Sequence, residues 1–106
     1  MRRALLAQPH RRRRLLLLPR RLGAVLHLVD ARHPALEPDA AAARWLQSLP
    51  VARAVIAAKI DKLSRAERVK NLRELERQLG MAPLPLSATS GEGLDDLWTL
   101  IARLAR

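Results

Sequence analysis

The chain has 106 residues and a mass of 11.9 kDa, with 20 basic and 10 acidic side chains and a net charge of +10. That is enough for one small domain. With no cysteine, a disulfide scaffold, a thiolate zinc site and a cysteine nucleophile are all excluded.

In chain order, residues 1–22 come first, with eight arginines (Arg2, Arg3, Arg11 to Arg14, Arg20, Arg21) and no acid. The remainder, 23–106, holds 12 basic and 10 acidic residues and is close to neutral. The basic character therefore belongs to an N-terminal arm and not to a face of the fold. We read 1–22 as an arm that is disordered or a product of mistranslation, and 23–106 as the folded part. The longest apolar run in the arm is Leu15 to Leu18, far short of the roughly 20 residues that span a bilayer. Arg20, Arg21 and the lack of a small-residue cleavage site argue against a secretory signal.

From Gly23 on, the pattern is a short apolar run, a polar turn and an amphipathic stretch, three times over. This alternation predicts an α/β fold of three β-α units with a parallel sheet. The first run is Ala24 to Val29, ending at Asp30, and its helix starts near Pro38. That helix carries Ala41, Trp45, Leu46 and Leu49 on one face. The second run, Ala52 to Ala58, is followed by Lys59-Ile60-Asp61-Lys62 and then by Ser64-Arg65-Ala66-Glu67, a capping-box pattern. Its helix points Leu72, Leu75 and Leu79 inward and stops at Gly80.

The third run, Ala82 to Leu86, contains Pro83 and Pro85, which lack N–H donors on the same side of a strand and so place it at a sheet edge. The turn Ser90-Gly91-Glu92-Gly93 leads into a last helix with Leu94, Leu97, Trp98, Ile101 and Leu104 at helical spacing. Trp45 and Trp98 are the only aromatic residues, and both are expected in the core. The other edge, at Ala24 to Val29, is left uncovered, and further strands are expected there.

Open α/β sheets bind ligands at the carboxyl ends of their strands, here Asp30 to His33, Ala58 to Lys62 and Ser87 to Gly93. His33 reads as a loop hydrogen-bonder and not a metal ligand, because no second ligand stands beside it; His10 and His27 carry no signal.

Three segments occur in order: Leu28-Val29-Asp30-Ala31-Arg32-His33-Pro34, Lys59-Ile60-Asp61-Lys62-Leu63-Ser64, and Ser87-Ala88 before a glycine-containing turn. Together they closely resemble the EngB (YihA/YsxC) family of ribosome-biogenesis GTPases, over about residues 23–105 and over only the C-terminal half of such a GTPase. The resemblance implies a P-loop-NTPase-like partial domain that lacks the N-terminal strands and the phosphate loop. It also implies GTP or GDP as ligand, with Asp61 reading guanine, Lys59 covering the base, and the Ser87-Ala88 loop offering the Ala88 N–H to the base oxygen. A carboxylate accepts from both the ring N–H and the exocyclic amine of guanine, whereas adenine offers no such pair of donors. The departure is Ala58, where the family has a Thr or Asn that braces the loops.

None of Gly23, Gly80, Gly91 and Gly93 opens a G-x-x-x-x-G-K-[ST] phosphate loop. Asp30 is not a Mg²⁺-linked D-x-x-G motif, since the fourth position is His33. Magnesium is expected for the family, but no ligand for it is found in the sequence. The chain is therefore expected not to hydrolyse GTP by itself. The family's implied role is assembly of the large ribosomal subunit, with a link to cell division and septation, in the cytoplasm. Ribosomal RNA or a large-subunit precursor is the implied partner. Two alternatives stand beside this reading. One is a non-enzymatic RNA- or protein-interaction module that uses the basic arm; the other is a non-functional, truncated gene fragment.

Overall fold

A computed structural model describes residues 5–7, 14–17, 24–34 and 36–104. Its five strands are β1 (Leu5–Ala7), β2 (Arg14–Leu17), β3 (Ala24–Asp30), β4 (Ala52–Ala58) and β5 (Leu84–Pro85). The helices are α1 (Glu37–Gln47), α2 (Arg65–Leu79) and α3 (Leu94–Leu104), with a single 3₁₀ turn at Ile60–Lys62. All strands lie in one sheet in the order β1-β2-β3-β4-β5. β3, β4 and β5 are parallel, with Asp30 opposite Ala58 and Ala57 opposite Pro85. The three β-α units and the edge position of the proline-containing strand are as the sequence predicts.

Seven residues of the arm, 5–7 and 14–17, are among those described. Within 1–22, β1 and β2 form an antiparallel hairpin, and β2 pairs antiparallel with β3, Arg14 opposite Leu28 and Leu17 opposite Val25. An open edge of β3 would leave a row of backbone donors and acceptors unpaired, and the apolar run after Arg14 supplies a strand for it. The sheet is therefore mixed and not purely parallel. The arginines at 2, 3, 11–13, 20 and 21 lie outside the described residues.

The core lies on one face of β3 and β4. Val29, Val55 and Ala57 pack there with Ala31 and Ile60, beneath Ala43 of α1 and Leu75 and Leu79 of α2. Burying a leucine of this kind stabilises the fold by about 1.5–3 kcal/mol. The opposite face is also closed, with Leu26 and Ile56 at 2% and 1% exposure.

Helix α2 begins and ends as its sequence dictates. The Ser64 hydroxyl accepts the Glu67 N–H and the Glu67 carboxylate accepts the Ser64 N–H, satisfying two otherwise orphaned donors. At the other end Gly80 takes φ 81, the left-handed conformation that glycine adopts without penalty. Arg53 and Gln47 donate to the Leu79 carbonyl at 3.2 and 3.5 Å and so serve one of the carbonyls that the helix end leaves over.

The tryptophans are not in the core: Trp45 is 49% and Trp98 65% exposed. In α1 the buried stripe is Ala40, Ala42, Ala43 and Leu46, with Asp39. Small alanines let the helix lie close to the sheet, and Trp45 falls one position to the side. In α3 the half-buried stripe is Leu94, Leu97, Leu100, Ile101 and Leu104, and Trp98 lies just beyond it.

Candidate functional site

Parallel strands deliver their following loops to one end of the sheet, so β3, β4 and β5 bring Asp30–Pro34, Lys59–Ser64 and Leu86–Gly93 together. Backbone bonds already link them. The Ala31 N–H donates to the Ala58 carbonyl at 2.9 Å, the Ile60 N–H to Leu86 at 3.2 Å, and the Leu86 N–H to Ala57 at 2.9 Å. Ala58 has no polar side chain and joins the first loop through this backbone carbonyl.

Asp61 is the centre of the arrangement. Its Oδ1 accepts the Ser87 hydroxyl at 2.8 Å, and its side chain remains 21% exposed. Ser87 is fully buried, and its Oγ in turn accepts the Ser90 N–H at 3.0 Å. That second bond fixes the direction of the first: the hydroxyl has one hydrogen, and it goes to the carboxylate. Asp61 thus has one lone pair engaged and the rest of its two oxygens open to a pair of donors. Lys62 stands at 3.9 Å from the other oxygen, Oδ2. Ala88, next to Ser87, is exposed in the turn.

Lys59 sits at φ 68, the one non-glycine residue with positive φ among the described residues. The left-handed conformation costs an L-residue about 1–2 kcal/mol, and here it ends β4 sharply and starts the 3₁₀ turn. The Lys59 side chain is 57% exposed and its ammonium lies 3.9 Å from Asp30. The Arg32 guanidinium grips Asp30 through Nε and Nη2, at 3.0 and 2.7 Å. These hydrogen bonds hold the Asp30 carboxyl below its ordinary value of 3.8, against the opposing effect of burial, so Asp30 stays charged beside Lys59.

Three residues without a sequence signal complete the cluster. Asn71 of α2 donates to the Ala31 carbonyl at 2.9 Å. Arg68, one turn into α2, donates to the Glu92 carboxylate at 2.7 Å and to the Ile60 carbonyl at 3.4 Å. Glu92 lies between two glycines, a placement that hints at a shaped turn but not at its partner. A separate cleft of about 410 Å³ lies elsewhere, lined by Arg53, Ala54, Leu84, Asp96, Leu100 and Arg103, and it contains none of these loop residues. Among the described residues no group of three or more His, Asp or Glu side chains is placed to hold a metal ion, and no helix is long and apolar enough to cross a membrane.

Three parallel strands and three helices, with Lys-Ile-Asp and Ser-Ala segments gathered at the strands' carboxyl ends, give an α/β fold consistent with part of a P-loop-like GTPase domain. No family model matches the chain. Comparison with known proteins finds homologues that match over part of their length. A protein of Anaeromyxobacter sp. (strain K) named "Probable GTP-binding protein EngB" is 47% identical over 87 residues, 79% of this chain and 40% of the relative. Those of Syntrophomonas wolfei and Heliobacterium modesticaldum, with the same name, are 38% and 34% identical over 85 and 84 residues. These matches cover 78% and 76% of this chain and 44% and 41% of the relatives. The chain is a homologue of the EngB GTP-binding proteins, and it spans about 40% of the length of the curated relatives it matches.

Proposed function

We propose that this chain binds the guanine base of GTP or GDP at the loop cluster formed by Lys59, Asp61, Ser87 and Ala88. The observation that carries the reading is the Asp61 carboxylate, fixed from behind by the buried Ser87 hydroxyl at 2.8 Å and still open on its outer side. Two oxygens so held suit the ring N–H and exocyclic amine of guanine, which lie side by side. The Lys59 stem covers the base face, and the exposed Ala88 N–H donates to the base oxygen. Each of these roles has its counterpart in the resemblance to EngB proteins, whose name describes them as GTP-binding.

The phosphates are a different matter. No G-x-x-x-x-G-K-[ST] occurs among the 106 residues, so this chain alone is proposed to bind nucleotide weakly and not to hydrolyse it. Mg²⁺, where present, would accompany the phosphates and not these four residues. The broader role proposed is that of the family: large ribosomal subunit assembly, tied to division and septation, in the cytoplasm. Ribosomal RNA or a subunit precursor is the proposed partner.

The test is a titration of the full chain with GDP and with ADP, beside Asp61→Ala. GDP is expected to bind more tightly, by about tenfold or more, and the preference to disappear in the variant, since a charge-assisted hydrogen bond contributes about 1.5–3 kcal/mol. Equal binding of the two nucleotides overturns the base reading. The eight arginines of residues 1–22 favour a second reading, an RNA-binding module. No nucleotide binding, together with RNA affinity that falls steeply with salt, would establish it instead.

A further inference from the structure

We infer that Arg68 and Glu92 are positioning residues that set the alignment of Asp61, and through it the preference for a purine bearing a 2-amino group. The inference rests on the guanine reading above and adds two residues to it that touch no base. Their contacts close a ring. The Ser87 hydroxyl donates to Asp61 at 2.8 Å, and the Ser87 N–H donates to the Glu92 carbonyl at 2.9 Å. The Glu92 carboxylate accepts from Arg68 at 2.7 Å, and the second Nη of Arg68 reaches the Ile60 carbonyl at 3.4 Å. Ile60 is covalently joined to Asp61, so the path returns to its starting point.

The ring matters because its two halves belong to different loops. Asp61 and Ile60 stand after β4; Ser87 and Glu92 stand after β5, which is only two residues long and held at a sheet edge. So short a strand fixes its following loop weakly. Arg68 projects from α2, whose start is fixed by the Ser64–Glu67 capping box and whose later turns are fixed by Leu75 and Leu79, both fully buried. A guanidinium is a planar fork with several donors, and here it serves an acceptor on each loop at once. The backbone bond from Ile60 to Leu86 joins the two loops at their base; the Arg68 bonds to Ile60 and to Glu92 brace their separation farther out. That separation is the one across which Ser87 orients the carboxylate.

Both ends of the pair are part exposed, at 30% for the Arg68 side chain and 48% for that of Glu92, so the pair itself adds little to global stability. Its effect is on alignment, and the test reads alignment. Hypoxanthine has the ring N–H of guanine but no 2-amino group, so the ratio of GDP to IDP affinity reports whether Asp61 meets both donors. In the full chain, Arg68→Met is expected to lower that ratio by about tenfold, the worth of one charge-assisted bond. Glu92→Gln, which keeps the shape and removes the charge, is expected to lower it by a smaller factor. Amide hydrogen exchange at Ser87 and Gly91, measured without nucleotide, is expected to accelerate in both variants, while amides in the later turns of α2 keep their protection.

A GDP-over-IDP preference and an exchange pattern that survive both substitutions overturn the inference and leave the guanine reading intact. Faster exchange with an unchanged ratio removes the role in specificity. A parent chain that binds GDP and IDP alike removes the role of the 2-amino group at its source, whatever the variants do. Loss of protection throughout α2 in Arg68→Met would mark that variant as misfolded, and Glu92→Gln then decides alone.

Discussion

Helices α2 and α3 both follow a parallel strand and both carry an apolar stripe, yet they are held very differently. α2 buries Leu75 and Leu79 completely, is capped by Ser64 and Glu67, and has its Leu79 carbonyl served by Arg53 and Gln47. α3 buries no residue fully and leaves Trp98 65% exposed, although its sequence is the more apolar of the two. Periodicity therefore identifies which side of a helix is apolar; it does not say whether anything lies against that side. α3 is also tied by the turn before it. There Gly93, at φ +83, lets the chain pass so close to β5 that an added Cβ would lie 2.1 Å from the Pro85 carbonyl oxygen.

Three substitutions test this contrast. The largest effect is expected from Leu75→Ala in α2, which removes a side chain with no exposed surface from the main core. It should lower unfolding free energy in urea by about 3 kcal/mol, in the range for buried leucines. A loss below about 1 kcal/mol would mean that α2 is no better anchored than α3. Next comes Gly93→Ala. Positive φ and the collision with Pro85 together should cost about 2 kcal/mol. Because the same turn carries Glu92, GDP affinity should fall with stability; retained stability would show that the turn has room the geometry does not allow. The smallest effect is expected from Trp98→Ala, within about 0.5 kcal/mol, because an exposed side chain has little packing to lose. A large loss in equilibrium unfolding would mean that Trp98 is covered in solution, and the contrast between the helices would vanish.

The stretch before Gly23 gives a second lesson of the same kind. Charge composition singles out 1–22, and eight arginines without an acid read as an arm. Leu15 to Leu17 nevertheless extend β2 along β3, because the demand for hydrogen-bond partners comes from the strand edge and not from the arm's own composition. The open edge at Ala24 to Val29 calls for a further strand, and nothing in the local sequence marks this segment as the one that supplies it.

At the candidate site the division is sharper. Lys59, Asp61, Ser87 and Ala88 were legible because each belongs to a short segment resembling a family motif, and topology alone brings those segments to one end of the sheet. Asn71, Arg68 and Glu92 were not. Asn71 meets Ala31 across 40 residues of chain and Arg68 meets Glu92 across 24, and nothing in the sequence around them names those partners.

By itself, then, the sequence determined what neighbouring residues control. The capping box at Ser64, the stop at Gly80, the edge strand marked by Pro83 and Pro85 and the glycine turn before α3 all depend on backbone geometry within a few residues. Only the tertiary structure decided what depends on distance through space. It turned both tryptophans outward, laid a hairpin along β3, and buried Ser87 behind Asp61. It also gave Arg68 two loops to hold, because burial and long-range hydrogen bonding depend on which surfaces meet, and a local pattern does not fix that.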